Sequence, residues 1–217
     1  SAERKPEAAP EPTPTIAAPR TLVAADLDLA TLGARVEGME VTDQEVGDGL
    51  AKISAFVACP KAMTACDPAT APEGTVYTYV LTVTPEATAR DHLPLPMPVP
   101  GVTETPATPV EAPAELVRMT HPAPGFNAAA GFSRAEATAA LGAEDALTVT
   151  LDQNQLIWRV TGGTGWAAGK PITLWWQSIR APEKPAASYR LEYAGKGANV
   201  TAPFPAADKA VEPETAR

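Results

Sequence analysis

Long apolar runs and basic stripes are both missing from this sequence. No segment approaches the roughly 20 apolar residues that a helix needs to cross a bilayer. The formal net charge is −9, and lysine and arginine are scattered along the chain without forming a basic stripe. Because nucleic acids and anionic lipids attract basic surfaces, we expect no nucleic-acid partner, no basic lipid-binding surface and no transmembrane segment.

Residues suited to catalysis are also scarce. The two histidines, His92 and His121, both flank proline-rich segments, whereas a catalytic histidine needs rigid support. The glycine-rich stretch Thr161–Gly165 leads into Trp166 rather than a helix, and it lacks the lysine of a phosphate-binding loop. Zinc sites usually need four ligands from cysteine and histidine. We therefore expect a protein that is not an enzyme and that holds neither a metal nor a cofactor.

Cysteine occurs at two positions, Cys59 and Cys66, with six residues between them. This spacing predicts a disulfide bond that closes a short loop, with free thiols and a metal site as the alternatives. A disulfide requires an oxidising compartment, so we expect a periplasmic or extracellular protein of the bacterial cell envelope. The first residue, Ser1, fits a cleaved secretory signal, an engineered start or further residues before it.

Proline, in contrast, is abundant, with 24 residues concentrated in the two ends and one central segment. Such segments bury too little apolar area to offset the entropy lost on ordering, so they favour polyproline II or disorder. They predict an N-terminal extension at 1–21 and a C-terminal tail at 202–217. Between them we expect a single domain at 22–201, interrupted by a proline-rich excursion at 85–125.

Alternating apolar and polar residues, many of them β-branched or aromatic, predict seven strands. These strands cover residues 34–41, 51–58, 75–84, 147–151, 156–160, 172–176 and 189–193. The second and third should form one hairpin, and the fourth and fifth another around the turn Asp152–Gln155. The fold class is therefore mainly β, an antiparallel β-sandwich of immunoglobulin-like size, with a β-barrel as the alternative.

One short helix is expected before the second hairpin. Ser133 and Glu136 have the spacing of a capping box, in which each side chain bonds the other residue's backbone amide. Strong helix formers follow, and Gly142 is suited to end the helix. Earlier in the chain, Leu22–Leu32 is read as a turn or short helix before Gly33, with an edge strand as the other reading.

Three tryptophans in the aromatic-rich stretch Leu147–Tyr193 give one binding hypothesis. Trp175 and Trp176 are adjacent on a predicted strand, so they point to opposite faces of the sheet. One of them is expected in the core, and the other is either covered or left open. Exposed rings of Trp166, Trp175 or Trp176 would form a platform for a sugar or an extended peptide.

The central excursion gives the other binding hypothesis. Its run from residue 93 to residue 100 alternates proline with Leu93, Leu95, Met97 and Val99. Half of its amides are missing, so it is expected to be extended and polyproline-like rather than an interior strand. The four apolar side chains exceed what a spacer needs, which predicts packing on its own domain or on a protein partner.

Two functions follow from these hypotheses. The first is a non-catalytic, exported cell-envelope or surface module, a structural or accessory subunit that contacts protein partners through its proline-rich segments. The alternative is a carbohydrate-binding module that uses the tryptophan platform.

Overall fold

The computed structural model describes residues 8–10, 18–87, 100–101 and 112–207. Twelve strands and one α-helix make up most of the regular structure in these ranges. In chain order they are β1 (Arg20–Leu22), β2 (Leu32–Arg35), β3 (Val41–Val46), β4 (Ala51–Pro60), β5 (Tyr77–Pro85), β6 (Leu116–Met119), β7 (Phe126–Phe132), α1 (Arg134–Leu141), β8 (Leu147–Asp152), β9 (Gln155–Val160), β10 (Ile172–Ser178), β11 (Pro182–Tyr193) and β12 (Lys196–Pro205).

The strands form two antiparallel sheets of six, as the sandwich prediction requires. Sheet I has the order β1-β8-β9-β6-β11-β12. Sheet II has the order β2-β4-β5-β10-β7, with β3 also paired to β4 beside β2. The predicted hairpins β4–β5 and β8–β9 are both present, and a third joins β11 to β12. The fold class is therefore confirmed.

A single hydrophobic core lies between the two sheets. Alternate residues of each strand point inward, so the core draws on both layers: Ile53, Val57, Tyr79, Leu81 and Trp176 come from sheet II, and Val117, Val149, Trp158, Tyr189 and Leu191 come from sheet I. Each of these side chains is at most 5% exposed. The period-two patterns in the sequence therefore identify the residues that hold the layers together.

Helix α1 begins as predicted but uses its capping residues differently. The Ser133 hydroxyl accepts a hydrogen bond from the Glu136 amide at 3.3 Å. The Glu136 carboxylate accepts from the Thr173 amide at 3.0 Å instead of returning to Ser133, whose amide donates to the Thr173 carbonyl. Gly142 ends the helix with a φ of 76°. The first bond of the predicted capping box is therefore confirmed and the second is wrong, because the Glu136 side chain links the helix to β10 instead.

Two predicted boundaries in the first part of the chain are wrong. The strand expected at 34–41 is interrupted by a turn at Gly38, whose φ of 74° lies in the left-handed region. Strand β2 precedes this turn and ends at Arg35, and β3 follows it from Val41 to Val46, so neither bound of the predicted strand holds. Both strands pair antiparallel with β4, β2 with the last residues of β4 and β3 with its first half, so the chain keeps its direction past the turn and the predicted strand is interrupted rather than reversed.

The predicted ranges of the proline-rich segments also include residues that belong to strands. Strand β1 lies partly in the expected N-terminal extension and pairs with β8, and β6 lies inside the expected excursion and pairs with β9 and β11. At the other end, β12 passes the expected boundary at residue 201 and continues to Pro205, with Phe204 only 8% exposed. Strand β12 can contain Pro203 and Pro205 because it is an edge strand, where a missing amide breaks no ladder.

The segment between β1 and β2 crosses the outer face of sheet II. Ala25 pairs in parallel with Gly131 of β7, at one edge, whereas β2 lies at the opposite edge beside β4. Leu27 and Leu29 line the same depression as Phe56 and Val80, which places the crossing over the middle strands. A 3₁₀ turn at Leu29–Thr31 confirms the short helical turn expected before Gly33.

A glutamine side chain joins the two sheets along one side of the sandwich. The amide of Gln44, on β3, accepts a hydrogen bond from the Thr201 backbone N–H at 3.1 Å and donates to the Thr201 carbonyl at 3.4 Å. Thr201 lies on the edge strand β12, so the amide pairs with that edge as a neighbouring strand would. Gln44 therefore links sheet II to an edge of sheet I.

Candidate functional site

The predicted disulfide is present at the end of β4. Cys59 and Cys66 are bonded, with their Cα atoms 5.6 Å apart, and the described residues contain no free cysteine. Cys59 is fully buried in the core, and Cys66 packs against it. The bond therefore closes the start of the long β4–β5 connection onto the body of sheet II.

The three tryptophans do not form the exposed platform that their spacing allowed. Trp166, Trp175 and Trp176 are 2%, 6% and 1% exposed, respectively. Trp166 is fixed by a hydrogen bond from its Nε1 to the Lys170 carbonyl at 2.8 Å, and Tyr193 donates to the Trp166 carbonyl at 2.8 Å. No ring face among these three is open to a sugar or peptide, so of the two alternatives, covered or open, the structure has the covered one.

Trp175 and Trp176 point to opposite faces, as predicted, and have different surroundings. Trp176 faces the core, where it stacks on Tyr79 at a centroid distance of 4.8 Å and donates to the Tyr189 hydroxyl at 2.8 Å. Trp175 faces the outside of sheet II, opposite Val80 of β5 and Gly131 of β7. Its buried Nε1 has no hydrogen-bond partner in the described part of the chain. One indole is thus fully satisfied, and its neighbour is not.

The core tryptophan belongs to an aromatic cluster that keeps two phenols neutral. Phe204 contacts Trp176 and Tyr189, with ring centroids 5.4 Å and 5.8 Å apart. Burial raises the pKa of Tyr79, with a smaller contribution from nearby Tyr189. Burial also raises the pKa of Tyr189, against the hydrogen bond from Trp176, which lowers it. Both hydroxyls therefore serve the core rather than proton transfer at neutral pH.

The predicted partner-binding residues Leu93, Leu95, Met97 and Val99 lie outside the residues that the structure describes. The two stems of the excursion are described, and the same loop holds both. The Pro85 carbonyl accepts from the Gly169 amide at 2.7 Å. The Glu115 carboxylate accepts from the Trp166 amide at 2.6 Å. The segment therefore leaves and rejoins the sandwich at one place.

A cavity of about 500 Å³ opens at one end of sheet I. Its walls are mainly apolar and include Pro122, Pro124, Phe204 and Pro205. Cavities of roughly 300–1,000 Å³ are typical of small-molecule sites. His121 lies at the rim in an exposed position, with its ring centroid 6.5 Å from that of Phe204. The cavity offers an apolar surface, and the rim side chain best suited to chemistry, that of His121, is exposed to solvent.

Sequence analysis missed a cluster of arginines on the outer face of sheet I. Arg118, Arg159 and Arg190 lie on the adjacent strands β6, β9 and β11, with Arg118 directly opposite Arg190. They are separated by 31 or more residues in the sequence, which is why no basic stripe is visible there. The available signal was local: each arginine sits between two large apolar residues, the pattern of an outward position on a half-buried strand.

Within the described ranges, no group of three or more histidine, cysteine, aspartate and glutamate side chains is placed to hold a metal ion. No helix in those ranges is long and apolar enough to span a membrane. Comparisons with protein-family models, with curated proteins and with solved structures find no match to this chain.

Proposed function

We propose that this chain is a non-catalytic module exported to the periplasm or the cell surface of a bacterium, where it contacts a protein partner. The disulfide supports the exported location, because such bonds persist in oxidising compartments and are rare in the cytosol. The bond lies at the core rather than at an accessible edge, with Cys59 fully buried, which favours a structural role over a redox-active one.

The common anchoring of the two excursion stems carries the partner-binding part of the proposal. Gly169 holds the Pro85 stem and Trp166 holds the Glu115 stem, and these two residues are three positions apart. The loop that carries them is itself rigid, because Trp166 is buried and bonded to Lys170 and Tyr193. The two described stems of the excursion are therefore held at one rigid place, and functional loops are commonly carried by rigid scaffolds.

Composition explains why a protein is the proposed partner. Leu93, Leu95, Met97 and Val99 alternate with proline, and proline-rich runs lose little conformational entropy when they dock in an apolar groove. The carbohydrate alternative depended on open rings at Trp166, Trp175 or Trp176. All three rings are buried, so the surface on which a sugar would stack is missing at these residues.

Site-specific photocrosslinking in the native host would test the proposal. A photoreactive amino acid at position 95 or 97 should form an adduct with one protein of the cell envelope. The matched control places the same group at Val23, which is 98% exposed and far from the excursion in sequence. Adducts that are absent at 95 and 97, or identical at 23, would overturn the proposal. With the photoreactive amino acid kept at position 95, the variant L93S/M97S should abolish the adduct without altering the thermal melt.

A further inference from the structure

The outer face of sheet I carries three arginines on three adjacent strands. Val117 pairs with Trp158 on one side and Leu191 on the other, and all three are buried in the core. Residues that flank them in sequence therefore point outward, and these include Arg118, Arg159 and Arg190. Arg118 is directly opposite Arg190, and Arg159 lies diagonally across from Arg118, opposite Leu116.

This arrangement is electrostatically unfavourable unless something neutralises it. Side chains directly opposite each other on a sheet have Cβ atoms about 4.5–5.5 Å apart, and like charges at that distance destabilise the pair. Arg190 has one nearby carboxylate, with Nε 3.9 Å from the Glu192 Oε1. Among the residues that the structure describes, neither Arg118 nor Arg159 has an ion-pair partner. The cluster therefore keeps at least two uncompensated positive charges in a protein of net charge −9.

Structure alone does not require arginine at these positions. Thr148 and Thr150 of β8 fill outward positions on the same face without charge. Arginine instead offers a planar group that binds a carboxylate through two parallel hydrogen bonds. Lys196 adds a further cation beside Arg190, where both line a shallow depression of about 230 Å³. The face thus concentrates groups that recognise anions on an otherwise acidic molecule.

We propose that the arginine face, defined by Arg118, Arg159 and Arg190, binds an acidic segment of a protein partner in an extended conformation. Same-side residues of an extended chain are about 6.6–6.8 Å apart. This spacing lies between the roughly 5 Å of directly opposite strand positions and the 7–8 Å of diagonal ones. Acidic side chains at alternate positions of such a segment can therefore each meet one guanidinium group.

Other anionic partners fit this face less well. Sugar rings and nucleic-acid bases are recognised largely by stacking on aromatic side chains. The aromatic residues of β9 and β11, namely Trp158, Tyr189 and Tyr193, all point into the core. An anionic membrane would have to accept a molecule of net charge −9. A carboxylate-rich segment contacts only the arginine face, whereas a membrane also meets the acidic surface around it.

Titration with a fluorescent octaglutamate peptide, followed by anisotropy, tests the inference. Wild-type protein should bind this peptide but not octaglutamine, and the affinity should fall as salt is raised to about 0.15 M. The variant R118Q/R159Q/R190Q should bind about tenfold more weakly or worse, the loss expected when charged hydrogen bonds are removed. The variant R118K/R159K/R190K keeps the positive charge but lacks the planar guanidinium group, so its affinity should lie between those of the wild type and the glutamine variant.

A matched control separates this face from general charge. K52Q/K61Q/K170Q also removes three positive charges, at exposed positions outside the arginine face, and should change the affinity less than about twofold. The inference fails if octaglutamate does not bind, if both triple variants bind alike, or if polygalacturonate or octathymidylate binds more tightly than octaglutamate. The arginine variant should melt at or above the wild-type temperature, and R118Q alone replaces it if it does not fold.

The inference rests on the proposed function in taking the partner to be a protein, but the two tests are independent. Octaglutamate titration does not involve Leu93, Leu95, Met97 or Val99, whereas crosslinking from positions 95 and 97 does not involve the arginines. A negative titration with positive crosslinks removes the arginine face and leaves the proposed function. The reverse result removes the proline-rich contact and leaves an acidic partner on sheet I.

Discussion

The two sheets present different outer faces. On sheet I, the outward residues include arginines and threonines, and Arg118 and Arg159 are exposed. On sheet II, the outward residues include Val80 and Trp175, which are only 3% and 6% exposed although they point away from the core. The chain between β1 and β2 crosses over sheet II, whereas no segment within the described ranges covers Arg118 and Arg159 on sheet I.

This difference shows that alternation alone does not determine which residues are buried. A strand with one apolar face packs on one side, and a strand with two needs a second layer. In the described residues, the second layer of sheet II is the segment between β1 and β2, whose Leu27 and Leu29 border Phe56, and Leu29 remains 63% exposed. We therefore expect the inner layer of sheet II to contribute more stability than its outer layer, and charge to matter mainly on sheet I.

The two adjacent tryptophans provide the sharpest test of this comparison. Trp176→Ala should lower the free energy of unfolding by about 3–5 kcal/mol, the usual cost of emptying a buried aromatic site. It also leaves the Tyr189 hydroxyl without its donor. Trp175→Ala should cost at least about 1 kcal/mol less, because its Nε1 has no bond to lose. Urea unfolding measures both, and an equal or larger loss at Trp175 would contradict the two-layer account.

Alkaline pH should act on the same inner layer. Burial raises the folded-state pKa of Tyr79 and Tyr189 above the usual value of about 10. Below pH ~10 both phenols are protonated in the folded and unfolded states, so the stability is fully present. Above it the unfolded chain releases protons that the folded chain retains, and stability should fall by up to about 1.4 kcal/mol per pH unit for each tyrosine.

Urea unfolding at increasing pH checks this prediction, with Tyr189→Phe as the matched variant. That variant removes one raised phenol, so its stability should fall less steeply above pH ~10 even though it starts lower. A slope identical to that of the wild type would show that Tyr189 ionises equally well in the folded state.

Sequence reasoning succeeded where the pattern is local. The hairpins β4–β5 and β8–β9, the helix cap at Ser133 and the disulfide depend on residues close together in the chain, so the turn chemistry and spacing revealed them. The opposite orientations of Trp175 and Trp176 follow from strand geometry in the same way.

Reasoning failed where distant segments decide the outcome. Trp175 is buried in a sheet face that a single-layer reading leaves open, and the crossing segment that follows β1 has no signature in the strand itself. The Glu136 carboxylate accepts a hydrogen bond from the Thr173 amide, 37 positions away, and not from the predicted Ser133 amide. The arginine face required the strand order of sheet I, which no local pattern contains.

The disulfide distinguishes sheet II covalently from sheet I. Reducing it, or replacing both cysteines in C59S/C66S, should lower the free energy of unfolding by roughly 2–3 kcal/mol through the loop entropy returned to the unfolded chain. Urea unfolding with and without reductant measures this loss. The double variant should be insensitive to reductant, and a wild-type protein equally insensitive would contradict the role. Alkylation of the unreduced, unfolded protein should label no thiol.

The smallest effect is expected where the two sheets are tied together by a side chain. Gln44→Ala removes both hydrogen bonds to Thr201 and should cost about 1–2 kcal/mol, because an amide and a carbonyl of β12 lose their partner. Gln177→Ala is the matched control: it also removes two side-chain hydrogen bonds, to Asn127 and Thr78, but both lie within sheet II. Amide hydrogen exchange should accelerate at Thr201 in the first variant alone. If both variants leave exchange at Thr201 unchanged, the edge of β12 is held by the core residues Val200 and Ala202 rather than by Gln44.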